Sequence, residues 1–295
     1  MPVTRRPGAW PFLAPALLVL GAVQLYPTLA VVWLSLERRI PVFGVAEFVG
    51  LANYRFLLQD PRFWQALVTT AYFTLVSVGL ELLWGGGIAL LLHRRRRLRG
   101  LLLAGFLLPW ALPGVVSAKM FEWLLYPDGG LVNSLLGAAG GPAGINWLGD
   151  PAWAIHAVIL ADAWRTTPFV LLLVLAGLEL IPPEVHEAAA VDGAGRWRSF
   201  VHVTLPLLAP VLVVTLLIRT IDALRVFDVI YVLTGGGPAG TTETLTVYAY
   251  RIFFGTLQFG YGATLAVATL LAALLLAGGY LWLVAPATRP AAEGA

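Results

Sequence analysis

Three observations predict an all-α polytopic membrane protein of six transmembrane helices. Hydrophobic residues make up 59% of the chain and charged residues only 12%, about half the charge of an ordinary soluble domain. Six apolar stretches are each long enough to cross about 30 Å of hydrocarbon at 1.5 Å per residue. Most arginines sit in the connections between those stretches, where they orient a membrane protein and do not mark a nucleic-acid face.

The spans are read at about 11–36, 64–92, 101–125, 152–180, 205–233 and 261–285, within a single domain covering 1–295. The first is too long and unbroken for the apolar core of a signal peptide, and no small-x-small cleavage site follows it, so it is expected to remain as an anchor. The second ends in Arg94, Arg95, Arg96, Arg97 and Arg99, a run that holds the next connection inside the cell and also suits anionic lipid headgroups. The third carries Pro109 and Pro113 and the fourth Pro168. Each of these rings frees a backbone carbonyl, which is tolerated where a neighbouring helix or cavity water satisfies it. With the N-terminus inside, Arg5, Arg6, Arg94, Arg95, Arg96, Arg97, Arg99, Arg196, Arg198 and Arg289 are internal, against Arg38, Arg39, Arg55, Arg62 and Arg251 outside. Ten against five predicts an N-in, C-in bundle.

Charges inside spans cost about 2.5–3.5 kcal/mol each on insertion scales, so each needs a partner or a watery cavity. Lys119 and Glu122, Asp162 and Arg165, Arg219 and Asp222, and Arg225 and Asp228 are opposite charges three residues apart, neighbours on a helical face. Two readings stay open: mutual neutralisation inside the bundle, or the lining of a polar path. Glu81 has no such local partner and is expected to pair across helices or face the cavity.

Between the fourth and fifth spans lies Glu187-Ala188-Ala189-Ala190-Val191-Asp192-Gly193-Ala194, followed by Phe200, Val203 and Leu205-Pro206. Pro182-Pro183 suits a first helical turn, and Glu184 and Glu187 lie near that helix's positive end. Gly193 is placed to take positive φ and stop it, with a second short helix over Arg196–Val203 leaving at an angle. An amphipathic helix lying on the membrane surface is the alternative.

Read as E-A-A, three residues, G, nine residues, an aliphatic, one residue and L-P, this stretch resembles the cytoplasmic coupling loop of bacterial binding-protein-dependent ABC importer permeases. The resemblance covers about 10–285 and extends to Trp164-Arg165, Pro168-Phe169, Ala176–Pro182, Leu131–Leu136, Asn146-Trp147-Leu148, Phe227–Pro238 and Thr242–Leu245. It is strongest for carbohydrate permeases of the maltose, trehalose and glycerol-phosphate type in their six-span form. Val203 departs from the usual isoleucine, and the extra spans and external domain of the larger maltose-type subunit are missing.

What the resemblance implies is a multi-pass bacterial cell-membrane subunit forming half of a sugar path. Its coupling loop, 181–204, would contact an ATPase through Glu184, Glu187, Ala188, Ala189, Asp192, Gly193, Ala194 and the following Pro206. The implied partners are a homologous second permease, two ABC ATPase subunits that use ATP and Mg, an extracytoplasmic sugar-binding protein and membrane lipid. No cofactor belongs to this chain, and no nucleic acid. Trp110, Trp164, Arg165, Arg219, Asp222, Phe227 and Tyr231 are the candidates for the substrate path, with Trp123 a further aromatic face. Gly235, Gly236, Gly237 and Pro238 form either a plain flexible turn or, by the resemblance, a loop that reaches toward the docked binding protein.

Enzyme readings lack their parts. His93, His156, His186 and His202 form no H-E-x-x-H, Ser117, Ser134 and Ser199 stand outside any G-x-S-x-G, and no P-loop exists. The chain has no cysteine, hence no thiol nucleophile and no disulfide. No catalytic residue and no metal site is read. An ion-coupled secondary transporter is the rival: it would use Asp162 and Asp222 but leaves the 187–206 motif unexplained.

Overall fold

The computed structural model describes residues 10–94, 99–142 and 144–284. Arg5, Arg6, Arg95, Arg96, Arg97 and Arg289, which carry much of the orientation argument, and Ala285, the expected end of the last span, lie outside them. In chain order the elements are α1 (Trp10–Leu20), a π turn (Gly21–Leu25), α2 (Tyr26–Ser35), β1 (Glu37–Ile40), β2 (Val45–Phe48), α3 (Ala52–Gln59), α4 (Pro61–Arg94), α5 (Arg99–Ala111), α6 (Gly114–Leu124), α7 (Leu131–Ala138), α8 (Pro151–Glu179), α9 (Pro183–Val191), α10 (Arg196–Ser199), a second π turn (Phe200–Thr204), α11 (Leu205–Leu224), α12 (Asp228–Leu233), α13 (Leu245–Tyr250), a third π turn (Arg251–Gly255) and α14 (Phe259–Val284).

Among the described residues five helical stretches are long and apolar enough to cross a membrane: Leu13–Ser35, Pro61–Arg94, Pro151–Glu179, Arg196–Leu233 and Phe259–Trp282. The single span expected over 101–125 is instead two helices, α5 and α6, bent by 95°. Proline explains the break. Pro109 removes a ladder hydrogen bond inside α5, and Pro113 disfavours helical φ/ψ at Leu112, so the chain restarts at Gly114. The expected separate helix over Arg196–Val203 is also corrected: α10 runs through the π turn into α11. Pro206 has no N–H to offer the His202 carbonyl, and the wider π turn just before it absorbs the missing bond, with Leu205 N donating to Phe200 O. The first π turn stands in the same relation to Pro27, Tyr26 N donating to Gly21 O.

The chain divides into two compact units, 1–61 with 249–268, and 62–248 with 269–295. The first departs from the all-α expectation. Here β1 and β2 pair antiparallel with Glu37 opposite Phe48 and Ile40 opposite Val45, and Gly44 turns the chain at φ +64°. Asn53 donates to the Ser35 and Glu37 carbonyls, both at 2.9 Å, and Tyr261 donates to Asp60 at 2.5 Å. Gly260 lies so close to the Glu37 carbonyl that any Cβ would overlap it.

In the second unit α8 is the central helix, its start fixed by Asp150, which accepts from Ala152 N at 2.8 Å. Helices in a bilayer gain little from hydrophobicity against one another, so they associate by close packing and polar contacts. Gly85 of α4 and Gly177 of α8 provide the close packing. A Cβ on Gly85 would lie 2.9 Å from Val170 Cβ, and one on Gly177 2.7 Å from Leu208 Cδ1. Two apolar clusters result. One gathers Phe73, Phe121, Val158, Ile159, Val229 and Ile230; the other gathers Ala89, Leu92, Val170, Leu171, Leu175 and Leu208.

The Gly85 crossing is testable. Gly85→Val is expected to destabilise the protein by about 1–3 kcal/mol through overpacking, whereas Gly86→Ala, with nothing within 4 Å of its Cβ, should leave thermal unfolding in detergent unchanged. Equal midpoints for the two variants would show that α4 and α8 do not meet at Gly85.

Candidate functional site

Between the two apolar clusters α4, α8 and α11 each contribute a charge to one buried point. Glu81 is fully buried and Arg219 is 6% exposed. The guanidinium grips the carboxylate as a fork, Nε to Oε2 at 2.5 Å and Nη2 to Oε1 at 2.9 Å, the strong bidentate geometry that only arginine supplies. Thr166 donates to Glu81 Oε1 at 2.8 Å. The Ser77 hydroxyl lies 3.0 Å from Glu81 Oε1 and 3.1 Å from Asp162 Oδ2, sharing its one proton between them. Asp162 Oδ2 is 3.8 Å from Arg219 Nη2, and its Oδ1 is 3.8 Å from Arg165 Nη2. Asp222 lies 3.4 Å from Arg219 and 3.5 Å from Arg225. The Glu81 carboxylate is thus met by donors at both oxygens and Asp162 by a hydroxyl and two nearby guanidiniums, the kind of surroundings in which charge is tolerated at this depth.

This network floors a cavity of about 270 Å³. The cavity forms where two helices break, α5–α6 at Leu112-Pro113 and α11–α12 at 225–227, the start of α6 lying against the start of α12. Of the residues expected to line a path, Trp110, Arg165, Arg219, Asp222 and Phe227 border it. Tyr231 stacks on Phe227 with centroids 5.1 Å apart but is not among the lining residues. Trp164 turns away, packing edge-on against Phe121 at 5.4 Å and bordering a separate apolar pocket with Trp84 and Phe106. The expected Arg225–Asp228 pair does not form: the break at 225–227 ends the helical spacing it requires, and Arg225 pairs back to Asp222. Lys119 and Glu122 do pair, at 2.5 Å. Reading the sequence overlooked Thr166, Gly114 and the cavity-facing position of Asp228; a hydroxyl one turn after Asp162 was the available signal for the first.

At one end of the unit α9 carries the 184–194 motif on an exposed surface. Gly193 has φ +76°; its N–H donates to the Ala190 carbonyl and that of Ala194 to Ala189, closing the helix with paired 5→2 and 6→1 bonds. Glu184, Glu187, Ala188, Asp192 and Gly193 are exposed, Ala194 is half-buried, Ala189 is buried, and Pro206 occupies the first turn of α11. In the same stretch of chain Leu180, Val191 and Trp197 are 79%, 87% and 76% exposed. Glu179, just before Leu180, is bridged to Arg99.

The glycine loop is firmly tied. Thr242 Oγ1 donates to the Gly237 carbonyl and lies 2.7 Å from Thr234 Oγ1. Gly235 and Gly236 have φ +58° and +89°, which only glycine adopts readily. Gly237 and Pro238 are half-buried. Glu243 accepts both Nε and Nη2 of Arg62, at 2.7 and 2.8 Å, and that guanidinium sits 4.6 Å over the Tyr248 ring.

Residues 81–287 match the family model described as binding-protein-dependent transport system inner membrane component. The chain belongs to this family. A trehalose/maltose transport system permease protein, MalF, of Thermococcus litoralis is 43% identical over 86% of each chain. A sulfoquinovosyl glycerol transport system permease protein, SmoG, of Agrobacterium fabrum is 39% identical over 92% of this chain and 88% of its own length. In fold the chain resembles a solved bacterial ABC transporter involved in the import of the acidic polysaccharide alginate, with TM-score 0.83, 22% identity and coverage of 95% and 96% of the two chains. In this family member the charged groups of the network and the cavity lie within the matched region, and α9 carries its exposed motif between α8 and the start of α11.

The network makes unequal demands on its members. Removing Glu81 (Glu81→Ala) leaves Arg219 buried without its main partner and should destabilise by about 3–5 kcal/mol. Asp222→Asn, at a side chain 49% exposed, should cost less than about 1 kcal/mol. Detergent unfolding midpoints compare them; similar losses would deny Glu81 its central place.

Proposed function

We propose that this chain is one permease subunit of an ATP-driven, binding-protein-dependent sugar importer, spanning the cell membrane six times with both termini inside. The observation that carries the reading is α9, an exposed, glycine-closed helix bearing the E-A-A motif, with Val191 at its end and Trp197 just after it exposed. Such a surface suits a groove on an ATPase subunit: Glu184 and Glu187 add charge at the rim, Ala188 permits close approach, the buried Ala189 seats the helix on its own unit, and Asp192, Gly193 and Ala194 fix where the chain turns. Because α10, the π turn and α11 are continuous, a pull on α9 passes into the helix that carries Arg219 and Asp222.

Two ATPase subunits, using ATP and Mg, would each grip one such loop, and a homologous second permease would supply the other half of the path. ATP binding closes the ATPase pair, and the bundle opens outward toward sugar delivered by an extracytoplasmic binding protein. The tied loop at 234–242 is assigned to that binding protein. The cavity at Trp110, Arg165, Arg219, Asp222 and Phe227, with Tyr231 behind, is assigned to the sugar; Trp164, turned away, is assigned to packing. Named sugar permeases among the relatives support carbohydrate as cargo. An ion-coupled secondary transporter finds no support in the family.

Two tests follow. Cysteines at Ala139 and Ala239 are expected to react with an impermeant thiol reagent from outside, and one at Ala190 only after permeabilisation; labelling of position 190 from outside would reverse the orientation. Gly193→Asp places a Cβ at φ +76°, where a side chain is strained. It should leave membrane insertion intact but abolish binding-protein-stimulated ATP hydrolysis, with Glu187→Lys giving a partial loss. Normal coupled uptake by both variants would reduce the loop to a passive connector.

A further inference from the structure

The cavity holds one acidic group that the charge network does not absorb. Arg165, Arg219 and Arg225 each face a carboxylate of Asp162, Glu81 or Asp222 at 3.8 Å or less. Asp228, the first residue of α12, lines the same cavity, is exposed, and has no ion pair or side-chain hydrogen bond among the described residues. Counting Glu81 behind Arg219, four carboxylates meet three guanidiniums, so this region carries one surplus negative charge. The surplus sits on the group that an entering molecule reaches.

Its surroundings keep that carboxylate accessible. A Cβ on Gly114 would lie 3.3 Å from Asp228 Oδ2 and 3.9 Å from Arg165 Cζ; glycine there leaves the space between them open. Trp110 and Phe227 border the same space. A carboxylate accepts several hydrogen bonds and donates none, while aromatic faces suit the apolar face of a sugar ring. A phosphate or sulfonate brought beside Asp228 meets like charge, and Arg165, Arg219 and Arg225, which would attract it, each already face a carboxylate.

Resting on the reading of this cavity as the sugar site, we propose that Asp228 is a specificity-determining residue: its carboxylate accepts hydroxyl hydrogen bonds from a neutral saccharide and excludes phosphorylated and other anionic sugars. Discrimination therefore comes from a repulsive element as well as an attractive one.

The test is ligand-observed NMR titration of the assembled permease–ATPase complex in nanodiscs, without binding protein, using maltose and trehalose against their 6-phosphates. The wild type is expected to bind a neutral sugar at least tenfold more tightly than its phosphate. Asp228→Asn, which keeps an acceptor and removes the charge, should raise affinity for the phosphate about tenfold while changing that for the neutral sugar less than threefold. Asp228→Ala should weaken the neutral sugar at least fivefold. Equal wild-type affinities, or an unchanged ratio in Asp228→Asn, would overturn the assignment; if that variant fails to assemble, the wild-type ratio alone decides. Binding of neither class would instead remove the cavity as a sugar site, a separate failure that takes this proposal with it.

Discussion

The buried ion pair between Glu81 and Arg219 is the constraint on which the rest of the second unit depends. An arginine within a span is costly, and the cost is offset only where a carboxylate and hydroxyl donors surround it in fixed geometry. Glu81, Ser77, Asp162 and Thr166 provide that geometry, but only when α4, α8 and α11 are in one register. A shift of α4 by one residue would turn Glu81 away from Arg219, and in one direction it would also bring Trp84 to the Val170 crossing, the other direction offering Gly86. Charge therefore specifies the alignment, and close packing excludes one of the two nearest slips. Such pairs add little net stability compared with apolar packing, and their value is that the wrong arrangement is heavily penalised.

The pair also decides where a cavity forms. Apolar layers close above and below it, while beside it two helices break, one at Pro113 and one at 225–227. Broken helices expose backbone polar groups, which persist at membrane depth only where protein or water satisfies them. Polar side chains and broken backbone thus occupy the same level of the bundle. From there α11 runs back unbroken, through the π turn that accommodates Pro206, to the exposed helix and its glycine cap. One end of that rod meets the cavity and the other carries the surface assigned to an ATPase.

Much of this was legible in the sequence, for identifiable reasons. Apolar length located the long apolar helices, and the spacing of Glu187, Gly193 and Pro206 marked the stretch that forms α9, its glycine cap and the start of α11, because these signals are local. Opposite charges three residues apart correctly joined Lys119 to Glu122 and Asp162 to Arg165. The same rule assigned Arg225 to Asp228, since a helix was assumed to continue through 225–227. It could not name the partner of Glu81, which lies 138 residues away on another helix. The bend at Pro113 was underread: proline was recognised as a tolerated interruption, but a 95° change of direction depends on what the following helix packs against. The hairpin at 37–48 carries too short an alternating pattern to stand out beside the spans. Trp164 was grouped with the path because aromatic identity says nothing about which face of α8 it occupies.

A double-mutant cycle on Glu81→Gln and Arg219→Gln, read by unfolding of the purified transporter in detergent, tests the central claim most directly. The account requires a coupling of about 2–3 kcal/mol, within the range for residues sharing one charge network, with the double variant less damaged than the sum of the singles. Additive losses, agreeing within about 0.5 kcal/mol, would contradict it and leave the two charges as independent residents of the bundle.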